Sequence, residues 1–234
     1  MLYIIAPCFN AKANIEKLVN SVKAQSDERW HHILIDDIST DGTYEEIVRV
    51  VGEDDRFTII KNSEKKFALK NIIDACKGIN DDQVAVGVID GDDSLCNPLT
   101  VKLVLAEYDA GEEVVWTAHR WDINGMNISR NMPRNVDPYQ WPWCASHFRT
   151  FKLSLLRKIN EKNFQDMEGN WFKRGYDQAL LLPLLHLTHK RKFVPEVCYL
   201  YNIDSASIPA EERNWSEMTQ ISTVNLVRAR GFIN

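Results

Sequence analysis

The first 118 residues alternate short β-branched runs with stretches whose apolar residues recur at helical spacing, and that alternation confines the chain to a few topologies. Leu2–Ala6, His32–Ile35, Phe57–Lys61, Val84–Ile89 and Val114–Ala118 read as strands. Between them, Ile15, Leu18, Val19 and Val22 fall on one helical face, with Asn14 expected as the N-cap. Tyr44–Val51, the Phe67, Ile72, Ile73, Cys76 series and Leu99–Tyr108 give three more helices. Such βαβ units predict an α/β fold with a doubly wound sheet covered on both faces.

After Ala118 the alternation stops. A loop-rich stretch carries Asn124-Gly125, Met132-Pro133 and Trp141-Pro142-Trp143. Helical spacing returns at Phe151–Ile159 and Tyr176–Thr188, where Pro183 is expected to kink or interrupt the helix. Phe193–Val197 and Tyr199–Tyr201 read as short strands, and Trp215–Arg230 as a closing amphipathic helix. No repeat or Gly/Ser linker divides the chain, so one domain is expected, with residues 1–118 and 119–234 as its two halves.

With 44% hydrophobic and 26% charged residues the chain can bury a full core. Its apolar runs are too short for a bilayer span, and its start has no basic signal region. The five cysteines lack C-x-x-C spacing and read as reduced, packed thiols of a cytoplasmic protein. Residues 1–118 hold 12 Lys and Arg against 22 Asp and Glu, whereas residues 119–192 hold 13 against 6. The acidic half suits a metal and the basic lobe an anion; solvated faces would explain both equally well.

Open parallel sheets bind ligands outside the carboxyl ends of their strands. Here the first strand ends in Pro7-Cys8-Phe9-Asn10, the second in Asp36-Asp37-Ile38-Ser39-Thr40-Asp41-Gly42, and the central strand in Asp90-Gly91-Asp92-Asp93. Three carboxylates within four residues repel one another unless a cation neutralises them, and Mg²⁺ or Mn²⁺ takes such oxygens together with phosphate. An exposed acidic turn before the helix near Pro98 is the competing explanation. Asp41 is expected to cap the following helix, and Asp37 to accept a hydrogen bond from a uracil-type base.

Those strand ends, the Leu18–Gln25 helix ending in Gln, Lys61-Asn62 and Lys70-Asn71 occur in one order. In that order and spacing, residues 1–118 resemble the inverting family 2 glycosyltransferases of GT-A fold. The resemblance implies a doubly wound mixed sheet with a loop-rich acceptor lobe, and a nucleotide diphosphate sugar donor, a UDP-sugar, held by Pro7, Phe9, Asn10, Asp37, Asp90, Gly91 and Asp92. It places the base near Pro7 and Asp37 and the ribose near Asp92. Lys66 and Lys70 are candidates for the diphosphate, and Asp92 and Asp93 for Mn²⁺ or Mg²⁺, with the direct ligand left open.

The resemblance also puts the general base at the start of a helix beyond the acceptor loop, where Gly175-Tyr176-Asp177-Gln178 stands. Asp177 there could equally be a first-turn acid stabilised by the helix dipole. The flanking Trp171-Phe172 and the Leu-rich helix would give it a dry setting able to raise its pKa. His147 and Arg149 are acceptor-side candidates. Trp141 and Trp143 could stack on a sugar ring or nucleobase. The acceptor stays open among a glycan, a lipid-linked sugar and modified DNA. Pro7 to Ala13 contains no glycine, which argues against a nucleotidylyltransferase or a dinucleotide dehydrogenase. A non-catalytic nucleotide-sugar or glycan-binding module of the same fold is the alternative reading.

Overall fold

A computed structural model describes residues 1–203 and 213–234. Strands β1 (Leu2–Cys8), β2 (Trp30–Asp36), β3 (Phe57–Lys61) and β4 (Ala85–Val88) alternate with helices α1 (Lys12–Lys23), α2 (Thr43–Val51) and α3 (Phe67–Lys77). There follow β5 (Ser94–Leu95), α4 (Thr100–Asp109), β6 (Val114–Trp121), β7 (Arg149–Lys152), α5 (Leu153–Leu156), α6 (Tyr176–Leu187), β8 (Arg191–Tyr201) and α7 (Arg213–Arg230).

The strands form one sheet in the order β3-β2-β1-β4-β7-β6-β8-β5. β3, β2, β1 and β4 run parallel, whereas β7 is antiparallel to both β4 and β6. The sheet is therefore mixed. Helices α1, α2 and α4 bury Ile15, Leu18, Ile47, Val101 and Val104 on one face, and α3, α5 and α6 bury Ile72, Leu153, Leu180 and Leu184 on the other. Each fully buried aliphatic side chain contributes roughly 1.5–3 kcal/mol, so the apolar spacing read along each helix is what fixes it to its face. Among the described residues no helix is long and apolar enough to cross a membrane, and all five cysteines are free thiols.

Four local expectations need correction. Asn14 is not the cap of α1, which begins at Lys12. Its first amides are satisfied from outside the helix: Asp41 Oδ2 accepts from Lys12 N–H at 3.0 Å and Thr43 Oγ1 from Ala11 N–H at 2.9 Å. Asp41 also accepts from Thr43 N–H at 3.0 Å, so it anchors the starts of α1 and α2 together. Phe151–Ile159 is not one helix; its beginning belongs to β7, which pairs with both neighbours before the short α5. Phe193–Val197 and Tyr199–Tyr201 are one strand, β8. Val194 pairs with Thr117 and Val197 with Ala118, so Pro195 and Glu196 form a bulge in which the missing proline N–H costs no ladder bond. Finally, Pro183 does not end α6, which runs on to Leu187.

The central strand is narrow where it must be. A Cβ on Gly87 would clash with the Phe148 ring and lie 3.2 Å from Thr150 Cγ2. Gly87→Ala is expected to destabilise the protein by about 1–3 kcal/mol through overpacking, read as a lower urea midpoint at unchanged slope.

Candidate active site

A cavity of about 890 Å³ opens at the carboxyl ends of β1, β2 and β4. The segment leading into α6 and the start of α7 wall its far side, so residues from both halves of the sequence line it. Pro7, Phe9, Asp37, Asp90, Gly91, Asp92, His147, Arg149 and Asp177 all reach it. Asn10, Lys66, Lys70, Asp93, Trp141 and Trp143 do not.

The acidic turn at the end of β4 is the floor. Its approach to β1 requires glycine, because a Cβ on Gly91 would lie 2.8 Å from Cys8 Cα and 2.9 Å from Pro7 O. Asp93 N–H donates to Asp90 O at 3.0 Å and closes the turn. Asp92 then lines the cavity, whereas Asp93 is 2% exposed beneath it. Both Asp93 oxygens are engaged: Oδ2 accepts from the Tyr199 hydroxyl at 2.7 Å and Oδ1 from Asn202 N–H at 2.7 Å. Burial, followed by the charges of Asp90 and Asp92, pushes the Asp93 carboxyl well above the usual range.

Arg149 is the cation that answers these acids from β7. Only 1% exposed, it donates from Nη2 to Asp90 Oδ2 at 3.1 Å and to His147 Nδ1 at 2.9 Å. The Tyr176 hydroxyl donates to the other oxygen of Asp90. Burial opposes the charge on Arg149, but Tyr176, Asp90 and Asp177 outweigh it. His147 lies between the rings of Tyr199 and Tyr201, at 4.6 and 4.9 Å. Burial first, then Arg149 and His119, hold it neutral well below its ordinary pKa, which frees Nδ1 to accept from the guanidinium.

The other end of the cavity is built around Asp37. Its Oδ1 accepts from Lys66 N–H at 2.9 Å and Asn62 Nδ2 at 2.7 Å, and Oδ2 accepts from Phe67 N–H at 2.8 Å. Burial raises the carboxyl, yet hydrogen bonds from Lys66, Asn71, Asn62 and Phe67 bring it below its ordinary value and keep it ionised. Asp37 therefore caps α3 from another strand as well as lining the cavity. The lysine that faces inward is Lys65, not Lys66 or Lys70. Its Nζ donates to Asp37 O at 3.1 Å and lies 2.7 Å from the Phe9 ring centre. Burial lowers its pKa to about 8, partly offset by Asp37. Lys66 and Lys70 both turn to Asp74. Asn10 works at the rim, donating from N–H to Ser39 Oγ and accepting from Thr40 N–H, both at 3.0 Å. Asn10, Ile38 and Phe67 hold φ of 48°, 63° and 63°, non-glycine backbones in the left-handed region that cluster around this end.

Asp177 stands in the first turn of α6. Gly175 before it has φ 67°, and a Cβ there would meet Gln220 O of α7 at 3.0 Å, so α6 and α7 close directly over the entry to the helix. Burial raises the Asp177 carboxyl; Arg149 opposes the shift and Asp90 adds to it. Trp141 and Trp143 pack against the core instead, with Trp141 O accepting from Arg228 Nη1 at 3.0 Å. Sequence reasoning passed over Lys65, Lys173, Arg174, Tyr176 and Trp215, all of which line the cavity. Of these, only Tyr176 carried a signal, by standing next to Asp177 at the start of a predicted helix.

Residues 3–179 match the sequence profile of glycosyl transferase family 2, and the chain belongs to that family. Over 81 residues it is 32% identical to the putative teichuronic acid biosynthesis glycosyltransferase TuaG of Bacillus subtilis (strain 168), a match covering 33% of this chain and 32% of that protein. TarS 1–349 of S. aureus, solved with UDP-GlcNAc, shares the fold at TM-score 0.68 and 18% identity, over 88% of this chain and 59% of that one. The mannosyltransferase PcManGT of Pyrobaculum calidifontis, solved with GDP-Man and Mn²⁺, superposes at TM-score 0.67 and 16% identity, over 98% and 63%. The chain thus spans about a third of the length of TuaG and about three-fifths of the two solved chains. The fold is the GT-A fold.

Removing the guanidinium should expose how much of this arrangement rests on it. Arg149→Met leaves Asp90 facing Asp92 and Asp93 without its cation and is expected to cost about 1–3 kcal/mol in ligand-free protein, read by denaturant titration.

Proposed function

We propose that the protein is a metal-dependent inverting glycosyltransferase that moves a sugar from a nucleotide diphosphate sugar, a UDP-sugar, to an acceptor hydroxyl. The observation that carries this reading is one cavity lined by Asp37 and Phe9 at one end, by the acidic turn at Asp92 on its floor and by the Asp177 carboxylate at the start of α6. Ligands of the structural relatives, UDP-GlcNAc in one and GDP-Man with Mn²⁺ in the other, support the donor class.

The donor set fits a hard divalent cation. Three carboxylates crowd one turn, burial and then the charges of Asp90 and Asp92 raise the Asp93 carboxyl, and Asp92 fronts the cavity. Oxygens of Asp90 and Asp93 and a nitrogen of His147 also lie within 4.8 Å of one another. Asp92, the acid of the turn that fronts the cavity beside Asp90, is assigned as the direct ligand, with the buried Asp93 adding charge from below. When bound, Mn²⁺ or Mg²⁺ supplies positive charge to the departing diphosphate.

The protein's own residues do the rest. Asp37 accepts from the N3–H of the uracil ring, and Phe9 offers the ring a face. Asp177 takes the proton of the acceptor hydroxyl as its oxygen bonds to the anomeric carbon and the bond to the diphosphate oxygen breaks. One displacement inverts the anomeric configuration. Arg149 and Tyr176 hold Asp90 beside this line, and Arg149 limits how far burial raises the Asp177 carboxyl.

Two outcomes test the reading. Mn²⁺ with UDP should raise the melting temperature of the wild type in a concentration-dependent way, and Asp92→Asn should remove that shift; an equal shift in the variant would sink the metal assignment. Asp177 must be ionised to act. Since its carboxyl is raised, turnover should fall on acidification at a pH above the ordinary aspartate range of about 3.9. Asp177→Asn should keep UDP affinity, lose that acid limb and slow transfer by about 10²–10⁴-fold; unchanged transfer would remove Asp177 as the base.

A further inference from the structure

Helix α7 is inside out over its first three turns. It buries Ser216 and Thr223, at 6% and 5% exposure, while Trp215, Met218 and Ile221 stand 44%, 70% and 55% exposed at i, i+3 and i+6. That spacing makes a single apolar stripe facing outward. Trp215, Ser216 and Gln220 line the active-site cavity, so the stripe begins at its mouth.

A second apolar tip borders the same mouth. The loop after β6 exposes Ile123, Met126 and Ile128 at 58%, 40% or more in each case, around the Asn124-Gly125 turn. It is tied to the cavity rim, because Asp122 Oδ1 accepts from Ile203 N–H at 3.1 Å and the Trp121 ring lies 6.2 Å from Tyr201. Ile203 and Tyr201 both line the cavity. Exposed Arg120 and Arg130 flank this tip, and exposed Lys173 stands at the mouth. The exposed acids on these two segments are Asp122, already bonded to Ile203, and Glu217.

We propose that this apolar and basic rim docks the cavity mouth onto an anionic lipid bilayer, so that the acceptor of the proposed transfer is presented from the membrane surface. The clause about the acceptor rests on the glycosyltransferase reading; the docking does not. Indole and long aliphatic side chains partition into the headgroup boundary, and nearby Arg and Lys are drawn to anionic lipid. A second copy of the chain fits less well, since a two-fold contact would bring Arg120, Arg130 and Lys173 against their own images. The basic balance of residues 119–192 matches an anionic surface.

The test is co-sedimentation of the full chain with phosphatidylcholine vesicles, with and without phosphatidylglycerol. The wild type should bind the anionic vesicles, and added salt should weaken that binding. Met218→Glu with Ile221→Glu, and separately Ile123→Ser with Met126→Ser, should lower the partition at least about tenfold. Both double variants should keep UDP affinity, which separates a failed docking surface from a failed donor site. A wild type that stays in the supernatant, variants that sediment as well as wild type, or a solution dimer dispersed by the α7 substitutions would each overturn the proposal.

Discussion

Like charges gathered at the end of β4 are the constraint around which the rest of the molecule is arranged. Asp90, Asp92 and Asp93 follow a strand of only four residues, and the turn that carries them can approach β1 because position 91 has no side chain. Four hydrogen-bond donors around that turn answer its charge. Tyr199 and Asn202 from the end of β8 occupy the buried Asp93, while Arg149 and Tyr176 occupy Asp90. Such full use of acceptors is what lets carboxylates remain in a partly dry site.

Arg149 has a second electrostatic effect. It lies under the influence of both Asp90 and Asp177, so the acid floor of the donor end and the acid at the start of α6 share one counter-charge. Burial raises the Asp177 carboxyl, and the same guanidinium restrains that rise. The neutral His147, stacked against two tyrosines, accepts a hydrogen bond from the same guanidinium nitrogen that serves Asp90.

Much of this was legible because it is local. The alternation of periods gave five strands and four helices of residues 1–118, missing only the two-residue β5, and the strand-end acids appear as consecutive letters. What was not legible depends on partners far along the chain. β7 is four residues long, and its antiparallel place between β4 and β6 leaves no periodic trace. Lys65 and Lys66 are adjacent identical letters, and their partners, Asp37 for the one and Asp74 for the other, separate them only in the fold. Trp141 and Trp143 looked like a platform because loop tryptophans are costly to expose; the structure meets that cost by packing them on the core, while Trp215, inside a helix that looked ordinary, reaches the mouth.

The insertion of β7 has a consequence for how the molecule is made. β4 is hydrogen-bonded to β1 on one edge, but its other edge waits for residues more than sixty positions later in the chain. A ribosome releasing residues 1–118 would therefore present a sheet with an open, hydrophobic central edge. Pairings of such sequence separation are slow to close, because loop entropy is lost before any contact is gained. A fragment cut between the two halves would leave that edge of β4 unpaired, the kind of exposed strand edge that favours aggregation.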